Sequence, residues 1–435
     1  MAGTPRIHWL EMFRPGRAAL SVTPSAKLGR IKTGAVLLAA LAVLGSGTYL
    51  VPQVADATAP AGGVRIWFDD DAGQYCNGTI TRSGHKNFDS KTPVPSRLAP
   101  STAVAAGQSH TLAIDPTGAV FACGQNANGQ LGSGNLTRSL IPVRVALPRG
   151  VVITAVASGW RTNLAITSTG SLYAWGMNQY GQVGDGSNSD RTTPVLVQLP
   201  VGVTVTKIAV GHYHSVAVTS TGAVYAWGYN GFGQLGDGTT VPSALPVLVP
   251  LPAGVIATAV GAGDNHSLVV TSTGSVYAFG KNSFGQLGNG SKTQSTVPVQ
   301  VTLPSGVAVS QVAAGGISPS ATFPDGDYSL AVTSNGMVYA WGAGTHGQLG
   351  NNTLVNSSVP VVTQLPPGEI ATAVGAGPNF GHVLTTDGNI FFWGTEGSGV
   401  YQHLVPTATL LPTGLHAAAV SAGPDGEQIA AVFVP

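Results

Sequence analysis

The chain of 435 residues is poor in charge and in cysteine. Lysine, arginine, aspartate and glutamate make up 9% of it, and it has two cysteines. The few glutamates, none of which recurs near a histidine, are Glu11, Glu369, Glu396 and Glu427. The chain also lacks a Gly-x-Ser-x-Gly nucleophile elbow, a His-Glu-x-x-His metal motif and a phosphate-binding glycine loop. These absences predict that the protein is not an enzyme and has no cofactor or metal site.

Basic residues are concentrated near the start of the chain. Beyond Ala57 there are 13 lysines and arginines against 16 aspartates and glutamates, a net charge of −3. Binding to nucleic acid depends on a cluster of cations that neutralise phosphates. The scattered basic residues of this part therefore predict no nucleic-acid partner.

Residues 1–57 have the pattern of an export signal. A basic segment precedes the apolar run Gly34–Leu44, and Ala55, Asp56 and Ala57 give the small-x-small motif of a signal-peptidase site. We expect cleavage after Ala57 and a secreted product. The alternative is an uncleaved anchor over residues 34–51, which is about the shortest stretch that spans a bilayer. In both cases the rest of the chain lies outside the cytoplasm and touches the membrane only through this segment.

A segment similar to Val-Ala-Ala-Gly-x-x-His-Ser-Leu recurs along the rest of the chain. The glycines of these segments are Gly107, Gly159, Gly211, Gly263, Gly315, Gly377 and Gly423. The spacing is 52 residues four times, then 62 and 46, and the 62 becomes 52 when the extra stretch 316–325 is removed. The repeats begin near residues 102, 154, 206, 258, 310, 372 and 418. A fixed period of this length is typical of a repeat architecture.

Each repeat contains about four short strands. Pairs such as Thr117-Gly118 separate two alternating apolar runs, which indicates a hairpin. A further strand begins with a proline, as at Pro246, and a short Thr-Ala-Val-Ala strand opens the repeat. Four antiparallel strands are the size of one propeller blade.

The two ends of the chain supply complementary halves of one more blade. The repeat after residue 418 stops after two strands, and residues 62–100 contain the missing half, beginning at Gly63-Val-Arg-Ile-Trp67. We therefore predict an all-β, seven-bladed propeller over residues 62–435, closed by strands from both termini.

With these repeats the chain resembles the RCC1 repeat family over roughly residues 62–435. The motifs that carry the resemblance are found, for example, at Gly263–Leu268, Tyr225–Gly228 and Asn282–Gly288. The resemblance implies a seven-bladed ring closed in the same way. The best-known activity of the family is guanine-nucleotide exchange on a nuclear GTPase docked on chromatin, which export and the charge balance make us expect to be absent here.

Recurring residues are expected to be structural. His110, His214, His266 and His382 occupy, or nearly occupy, one place in successive repeats. Equivalent places around a ring are too far apart for a metal site with ligands near 2 Å. We expect each imidazole to bond to neighbouring loop backbone, and the recurring tryptophans to form the blade cores.

Residues that break the repeat are the candidates for function. Trp160 stands where other repeats have Gln108, His212 or Asp264, and an insertion in the fifth repeat occupies Gly316–Asp327. The partner-binding candidates are Trp160, His212, Tyr213, Phe323, Asp325, Asp327 and Tyr328. An added loop on a rigid ring is a usual place for binding residues. A tolerated insertion without function is the alternative for this loop.

Cys76 and Cys123 also break the repeat, at the places of a glycine and a tryptophan. Export permits oxidation, so a disulfide that joins the closing blade to its neighbour is possible. The sequence alone does not show whether the two residues lie close enough to form it.

The function expected from these features is that of a monomeric, rigid module that binds an unknown protein or cell-envelope component through loops on one face. One alternative is an inhibitor of a secreted enzyme, since a propeller inhibitor of β-lactamase is similar to this family. The other is a lectin-like propeller that binds carbohydrate or cell wall, for which Tyr180, Phe232 and Phe284 are the candidate stacking residues.

Overall fold

A computed structural model describes residues 55–56, 62–68, 72–80, 90–316, 326–395, 402–423 and 428–435. These residues form an all-β structure, and within them we find no helix of the length and apolarity that a bilayer span requires. Apart from Ala55–Asp56, the export segment of residues 1–57 lies outside the described residues, as does the cleavage site at Ala57. Cleavage and anchoring therefore stay predictions.

The described ranges contain 29 strands, most of them five to seven residues long. In chain order they are β1 (Ala55–Asp56), β2 (Gly63–Phe68), β3 (Ser90–Pro95), β4 (Ala103–Ala106), β5 (His110–Ile114), β6 (Val120–Gly124), β7 (Ser139–Arg144), β8 (Ile153–Ser158), β9 (Thr162–Thr167), β10 (Leu172–Gly176), β11 (Arg191–Leu196), β12 (Val205–Val210), β13 (His214–Thr219), β14 (Val224–Gly228), β15 (Ser243–Leu248), β16 (Ala257–Ala262), β17 (His266–Thr271), β18 (Val276–Gly280), β19 (Ser295–Gln300), β20 (Val309–Gly315), β21 (Tyr328–Thr333), β22 (Val338–Gly342), β23 (Ser357–Val362), β24 (Ala371–Ala376), β25 (Phe380–Thr385), β26 (Ile390–Thr395), β27 (Gln402–Ala408), β28 (His416–Ala422) and β29 (Gln428–Val434).

The strands form seven antiparallel sheets, which are the blades of a propeller. Blades 1 to 6 take four consecutive strands each, from β4–β7 to β24–β27, and β1 adds to the first strand of blade 2. The predicted all-β, seven-bladed fold is confirmed. Blade 7 has the order β28-β29-β2-β3, so the chain termini share one sheet as predicted.

Blade 7 closes the ring by pairing the two ends of the chain. Strands β2 and β29 are in register from Gly63 opposite Phe433 to Phe68 opposite Gln428. Gln428 then donates from Nε2 to the carbonyl of His110 at 2.7 Å, which ties blade 7 to blade 1. The closed ring leaves no terminal blade without a neighbour, unlike an open array of repeats.

Antiparallel strand order places the loops on two faces. The loops between first and second strands, and between third and fourth strands, lie on the same side of the ring, which we call the upper face. The hairpin turns and the connections between blades lie on the opposite, lower face. Gly316 and Asp327, at the ends of the insertion, belong to the upper face because they flank β20 and β21.

Neighbouring blades are connected by hydrogen bonds to the glutamine carbonyl of the Gly-Gln loop, a contact that we call the blade joint. Between blades 2 and 3, the Gln182 carbonyl accepts from Trp227 Nε1 at 2.9 Å and from Ser215 Oγ at 2.8 Å. The bonds fix the pitch between two blades because both donors are on the core strands of the next one. The corresponding tryptophan bonds elsewhere are Trp175 to Gln130, Trp341 to Gln286 and Trp393 to Gln348.

The last glycine of this loop is required by the same contact. Gly288 has a φ of +66°, and a Cβ there would lie 2.7 Å from Trp341 Nε1. A side chain would therefore push the next blade away from its carbonyl acceptor, and the positive φ would add strain.

A disulfide replaces this contact between blades 7 and 1. Cys76 occupies the glycine place with a φ of +57°, and Cys123 occupies the tryptophan place opposite Thr111. The two cysteines are bonded, with Cα atoms 5.6 Å apart. Thr111 Oγ1 donates to the Gln74 carbonyl at 3.0 Å. The hydroxyl bond of the blade joint, made by Ser215 between blades 2 and 3, is therefore preserved.

The recurring histidines His110, His214 and His266 form hydrogen bonds through Nε2 to side chains of the next blade. We had expected bonds to loop backbone, which these Nε2 atoms do not make among the described residues. His214 Nε2 lies 2.8 Å from Ser267 Oγ, and His266 Nε2 lies 2.8 Å from Ser329 Oγ. Ser267 Oγ also donates to the Gln234 carbonyl at 2.8 Å. Because the serine hydroxyl already donates its proton to that carbonyl, the imidazole donates from Nε2 to the serine oxygen. Burial lowers the pKa of both histidines to about 3, which keeps the rings neutral near pH 7.

His382 is not part of this series. Phe380 takes the equivalent place in blade 6, opposite Gly394, as His214 lies opposite Gly228. His382 lies two residues further along β25, fully buried, and burial lowers its pKa to about 3. In this blade the histidine that we read as part of the series therefore lies two residues after the equivalent place.

We predict that the disulfide can be exchanged for the contact that it replaces. Loss of the bridge in C76S/C123S should lower the free energy of unfolding by about 4 kcal/mol in the chain-entropy estimate. The variant C76G/C123W should regain part of this loss because it restores the glycine and the tryptophan of the other joints. Denaturant midpoints compare the three proteins, and a C76G/C123W variant less stable than C76S/C123S would contradict the equivalence.

The buried histidines should make stability depend on pH. The pKa of His266 is about 3 in the folded protein against 6.5 for the free side chain, so the unfolded state binds the extra proton as pH falls below 6.5. In that range each such histidine lowers the free energy of unfolding of the protein by about 1.4 kcal/mol for each unit by which the pH falls. Between pH 6.5 and 5, H266Q should show a shallower decline of the denaturation midpoint than the wild type. The control H416Q removes an exposed histidine, and its slope should match the wild type; equal slopes in all three proteins would disprove the assignment.

Candidate functional site

The residues of the upper face depart most from the repeat in blades 2 and 3. Trp160 lies in the loop before β9, and His212 and Tyr213 lie in the equivalent loop before β13. The Trp160 ring centroid is 4.4 Å from that of His212 and 5.3 Å from that of Tyr213. Three candidates from two blades therefore form one contact group.

Rings from the loops after the third strands extend this group. The ring centroid of Tyr180 lies 4.9 Å from those of both Tyr213 and Tyr229, and the centroid of Tyr229 lies 6.4 Å from that of Phe232. All of these are half-buried except His212, which is 4% exposed. We call the set the aromatic patch; it consists of Trp160, Tyr180, His212, Tyr213, Tyr229 and Phe232.

Tyr213 packs against two other rings of the patch at steep angles. Tyr213 meets Trp160 at 82° and Tyr180 at 68°, the edge-to-face geometry that aromatic pairs prefer. Trp160 also carries the Arg161 guanidinium over its ring, 4.2 Å from the centroid. The patch is therefore a compact cluster whose members hold one another in place.

Lys281 connects the patch to the insertion. Its ammonium lies 5.4 Å from the Phe232 ring centroid and 5.8 Å from that of Phe284, and it forms an ion pair with Asp327 at 3.4 Å. Gln286 donates to the same carboxylate at 3.1 Å. Lys281 and Asp327 are almost fully buried, so this cation is compensated within the fold.

A second acidic residue lies at the base of the insertion. Asp264 is fully buried and 3.6 Å from His212 Nδ1. A Cβ on Gly316 would collide with Asp327 and approach Asp264 to 3.2 Å from its Cβ. Gly316, at the start of the insertion, thus lies close to the side chains of both Asp327 and Asp264.

The structure separates the candidates of the insertion. Tyr328 is fully buried, and its hydroxyl donates to the carbonyls of Phe380 and Gly377, the latter at 3.1 Å. It occupies the histidine place of blade 5, and burial raises its pKa well above the usual value. Tyr328 is therefore not part of the binding surface that we predicted. Asp327, another candidate, is buried as well and forms an internal ion pair with Lys281. Phe323 and Asp325 lie outside the described residues.

Sequence reasoning missed Arg161, Tyr229 and Lys281. Tyr229 and Lys281 stand where other repeats have Gln125 and Met177, so the search for repeat-breaking residues could have found them. Tyr180 and Phe232, which were candidates for stacking on a sugar, belong to the patch. In the described ranges, no three His, Cys, Asp or Glu side chains lie close enough to hold a metal ion.

Comparison with known protein families identifies the repeats. A model of the regulator of chromosome condensation (RCC1) repeat matches more than half of the chain, and a second model of the same repeat matches four shorter stretches. The first covers residues 117–166, 169–218, 221–270, 273–317 and 335–384, and the second covers residues 102–130, 153–182, 205–234 and 257–286.

Two curated relatives are similar over about two thirds of the chain. The ultraviolet-B receptor UVR8 of Arabidopsis thaliana is 35% identical over 291 residues, which are 66% of this chain and 64% of the receptor. The human E3 ubiquitin-protein ligase HERC2 is 31% identical over 301 residues, which are 68% of this chain and 6% of the ligase. The chain thus spans less than two thirds of the length of either relative.

The fold also matches solved structures. Prp20p of Saccharomyces cerevisiae superposes with a TM-score of 0.72 at 21% identity, over 90% of this chain and 96% of that one. At this identity the similarity concerns the fold. Together with the matched repeats and the closure of blade 7, it shows that the chain belongs to the RCC1 repeat family of seven-bladed propellers.

Proposed function

We propose that the protein is an exported, non-enzymatic binding module that holds another protein on the aromatic patch of its upper face. The observation that carries the proposal is the patch itself. It gathers Trp160, Tyr213 and Tyr229, which break the repeat, from the loops of adjacent blades. Residues that only held the blades together would be expected to recur in every blade.

The composition of the patch fits a protein partner. Tryptophan, tyrosine and arginine dominate the binding energy of protein interfaces, usually in a central cluster of partly buried side chains. Trp160, Arg161 and Tyr213 form such a cluster. Their rings are fixed before binding, so little side-chain entropy is lost on association.

The same geometry does not favour a sugar platform. A lectin-like site needs an open ring face on which a sugar can lie flat. The rings of Tyr180, Tyr213 and Tyr229 instead meet at 53° to 75°, and the Trp160 ring is covered in part by Arg161. An enzyme is one kind of protein that the patch could hold, so the inhibitor alternative is a special case of this proposal.

Export is part of the proposal, and the disulfide supports it. Disulfides persist in oxidising compartments and are rare in the cytoplasm. The Cys76–Cys123 bridge takes the place of a blade joint, and so belongs to the closure of the ring. The basic and apolar character of residues 1–57 agrees with this compartment.

We do not propose nucleotide exchange or DNA binding for this chain. The Prp20p structure was described with binding to Gsp1p and histones, which is a property of that protein. Beyond Ala57 this chain has a net charge of −3, which disfavours contact with an acidic polymer. An exported propeller would also be separated from cytoplasmic and nuclear GTPases.

The patch should be required for capture of the partner. Immobilised wild-type protein is exposed to extracytoplasmic extract, and retained proteins are identified by mass spectrometry. In W160A/Y213A the affinity for a specifically retained protein should fall at least about 30-fold, since two anchors of a cluster are lost.

The lower face provides the matched control. Val152 and Ile256 are exposed in the connections between blades, so V152A/I256A removes apolar surface far from the patch. This variant should retain the partner as the wild type does. Retention that survives W160A/Y213A, or that is lost equally in both variants, would refute the proposed site.

The export proposal predicts the compartment, the N-terminus and the thiol state. After cell fractionation the mature chain should be found outside the cytoplasm and should begin at Thr58, and alkylation without reductant should label neither cysteine. A membrane-bound chain with an intact N-terminus would favour the anchor over the cleaved signal. A cytoplasmic chain with two free thiols would refute export.

A further inference from the structure

Arg161 is held rigidly at the edge of the aromatic patch. Its guanidinium lies 4.2 Å above the Trp160 ring, and Nη1 donates to Asn128 Oδ1 at 3.1 Å. Nε makes a longer bond of 3.4 Å to Gln108 Oε1. The stacking ring and two amide oxygens from blade 1 therefore fix the plane of the guanidinium before any partner arrives.

Among the residues that the structure describes, the charge of Arg161 has no direct counter-ion. None of the ion pairs among the described residues includes it, and its hydrogen-bond acceptors are neutral amides. The Asp190 carboxylate is linked to it through Asn128, whose Nδ2 donates to Asp190 Oδ2 at 2.7 Å. Lys281, on the same face, differs because it lies 3.4 Å from Asp327.

Burial makes this arrangement costly for the isolated protein. Arg161 is half-buried, and the loss of solvent lowers the pKa of its guanidinium. A partly desolvated cation gains more from a bound anion than an exposed one because the medium screens it less. Within the described ranges only Nε and Nη1 of the guanidinium have hydrogen-bond acceptors, which leaves the Nη2 hydrogens for a bound acceptor.

We propose that Arg161 is the anchor for a carboxylate of the protein partner, in a segment where aspartate or glutamate stands next to an apolar or aromatic residue. The inference rests on the proposed function and specifies the chemistry of the partner. The carboxylate forms a two-bonded pair with the guanidinium fork, and the apolar neighbour lies against Trp160 and Tyr213.

A carboxylate fits this site better than a phosphate does. Recognition of a phosphate usually uses several cations, whereas Arg161 is a single cation with Asp190 close behind its amide partner. A dianion would be repelled by Asp190, and a monoanion less so. The flat fork of arginine also matches the two oxygens of one carboxylate in a single plane.

Selection from a random peptide library on the purified full chain tests the inference. The wild type should enrich peptides in which an acidic residue neighbours an aromatic or aliphatic one. Their affinity should fall on the order of 10- to 100-fold in R161Q and less in R161K, which keeps the charge and loses the fork. R161E should instead select peptides that carry lysine or arginine.

The matched control is R149Q, because Arg149 is an exposed arginine in a connection on the lower face. Peptide affinity should be unchanged in this variant, and increasing salt should weaken wild-type binding more than that of R161Q. Thermal melts of all variants verify folding. If R161Q does not fold, R161K and the charge dependence of R161E carry the test.

The outcomes separate this inference from the proposed function. Peptides without acidic enrichment that still lose affinity in W160A/Y213A would overturn the role of Arg161 and leave the patch as the binding site. Peptides whose affinity is the same for the wild type, W160A/Y213A and R161Q would overturn both proposals. Sedimentation equilibrium of the unliganded chain adds a check: dimers that R161Q dissolves would assign the carboxylate to a second copy and overturn the inference of a foreign partner.

Discussion

The structure depends on one joint, in which the core tryptophan of a blade donates to a glutamine carbonyl of the preceding blade. The joint needs a glycine with positive φ beneath the ring, as at Gly288 and Trp341. Blades 2, 3, 5 and 6 repeat it with a period of about 52 residues. In blade 4 the place of the tryptophan is taken by Phe279, and Ser267 Oγ still donates to the Gln234 carbonyl of blade 3. The same requirement explains why Cys76 and Cys123 meet: they stand at the two places that the joint brings together.

A ring held in this way leaves the loops of the upper face free to vary. Loops on a rigid scaffold commonly carry the binding residues because their changes do not disturb the core. In blades 2 and 3 these loops carry Trp160, Arg161 and Tyr213, whose side chains form one contact group. The aromatic patch is thus a local departure from a repeat that otherwise serves stability.

The period, the hairpin turns and the split blade could be predicted because they follow from glycine spacing and strand pairing along the chain. The contents of the site could be predicted only in part, since its contacts join residues that are far apart in sequence. Tyr180 meets Tyr213, and Arg161 meets Asn128, across blade boundaries. Tyr328 was placed at the surface because it follows the insertion, whereas the register of β21 turns it inward.

Photo-crosslinking in living cells tests the central claim, that a protein partner occupies the patch, most directly. A photoreactive phenylalanine analogue replaces Tyr213 on the upper face or Ile256 on the lower face, and both proteins are irradiated in place. We predict one dominant crosslinked protein from position 213 and none from position 256. Crosslinks from position 256 alone, or no protein crosslinked at position 213, would contradict the account.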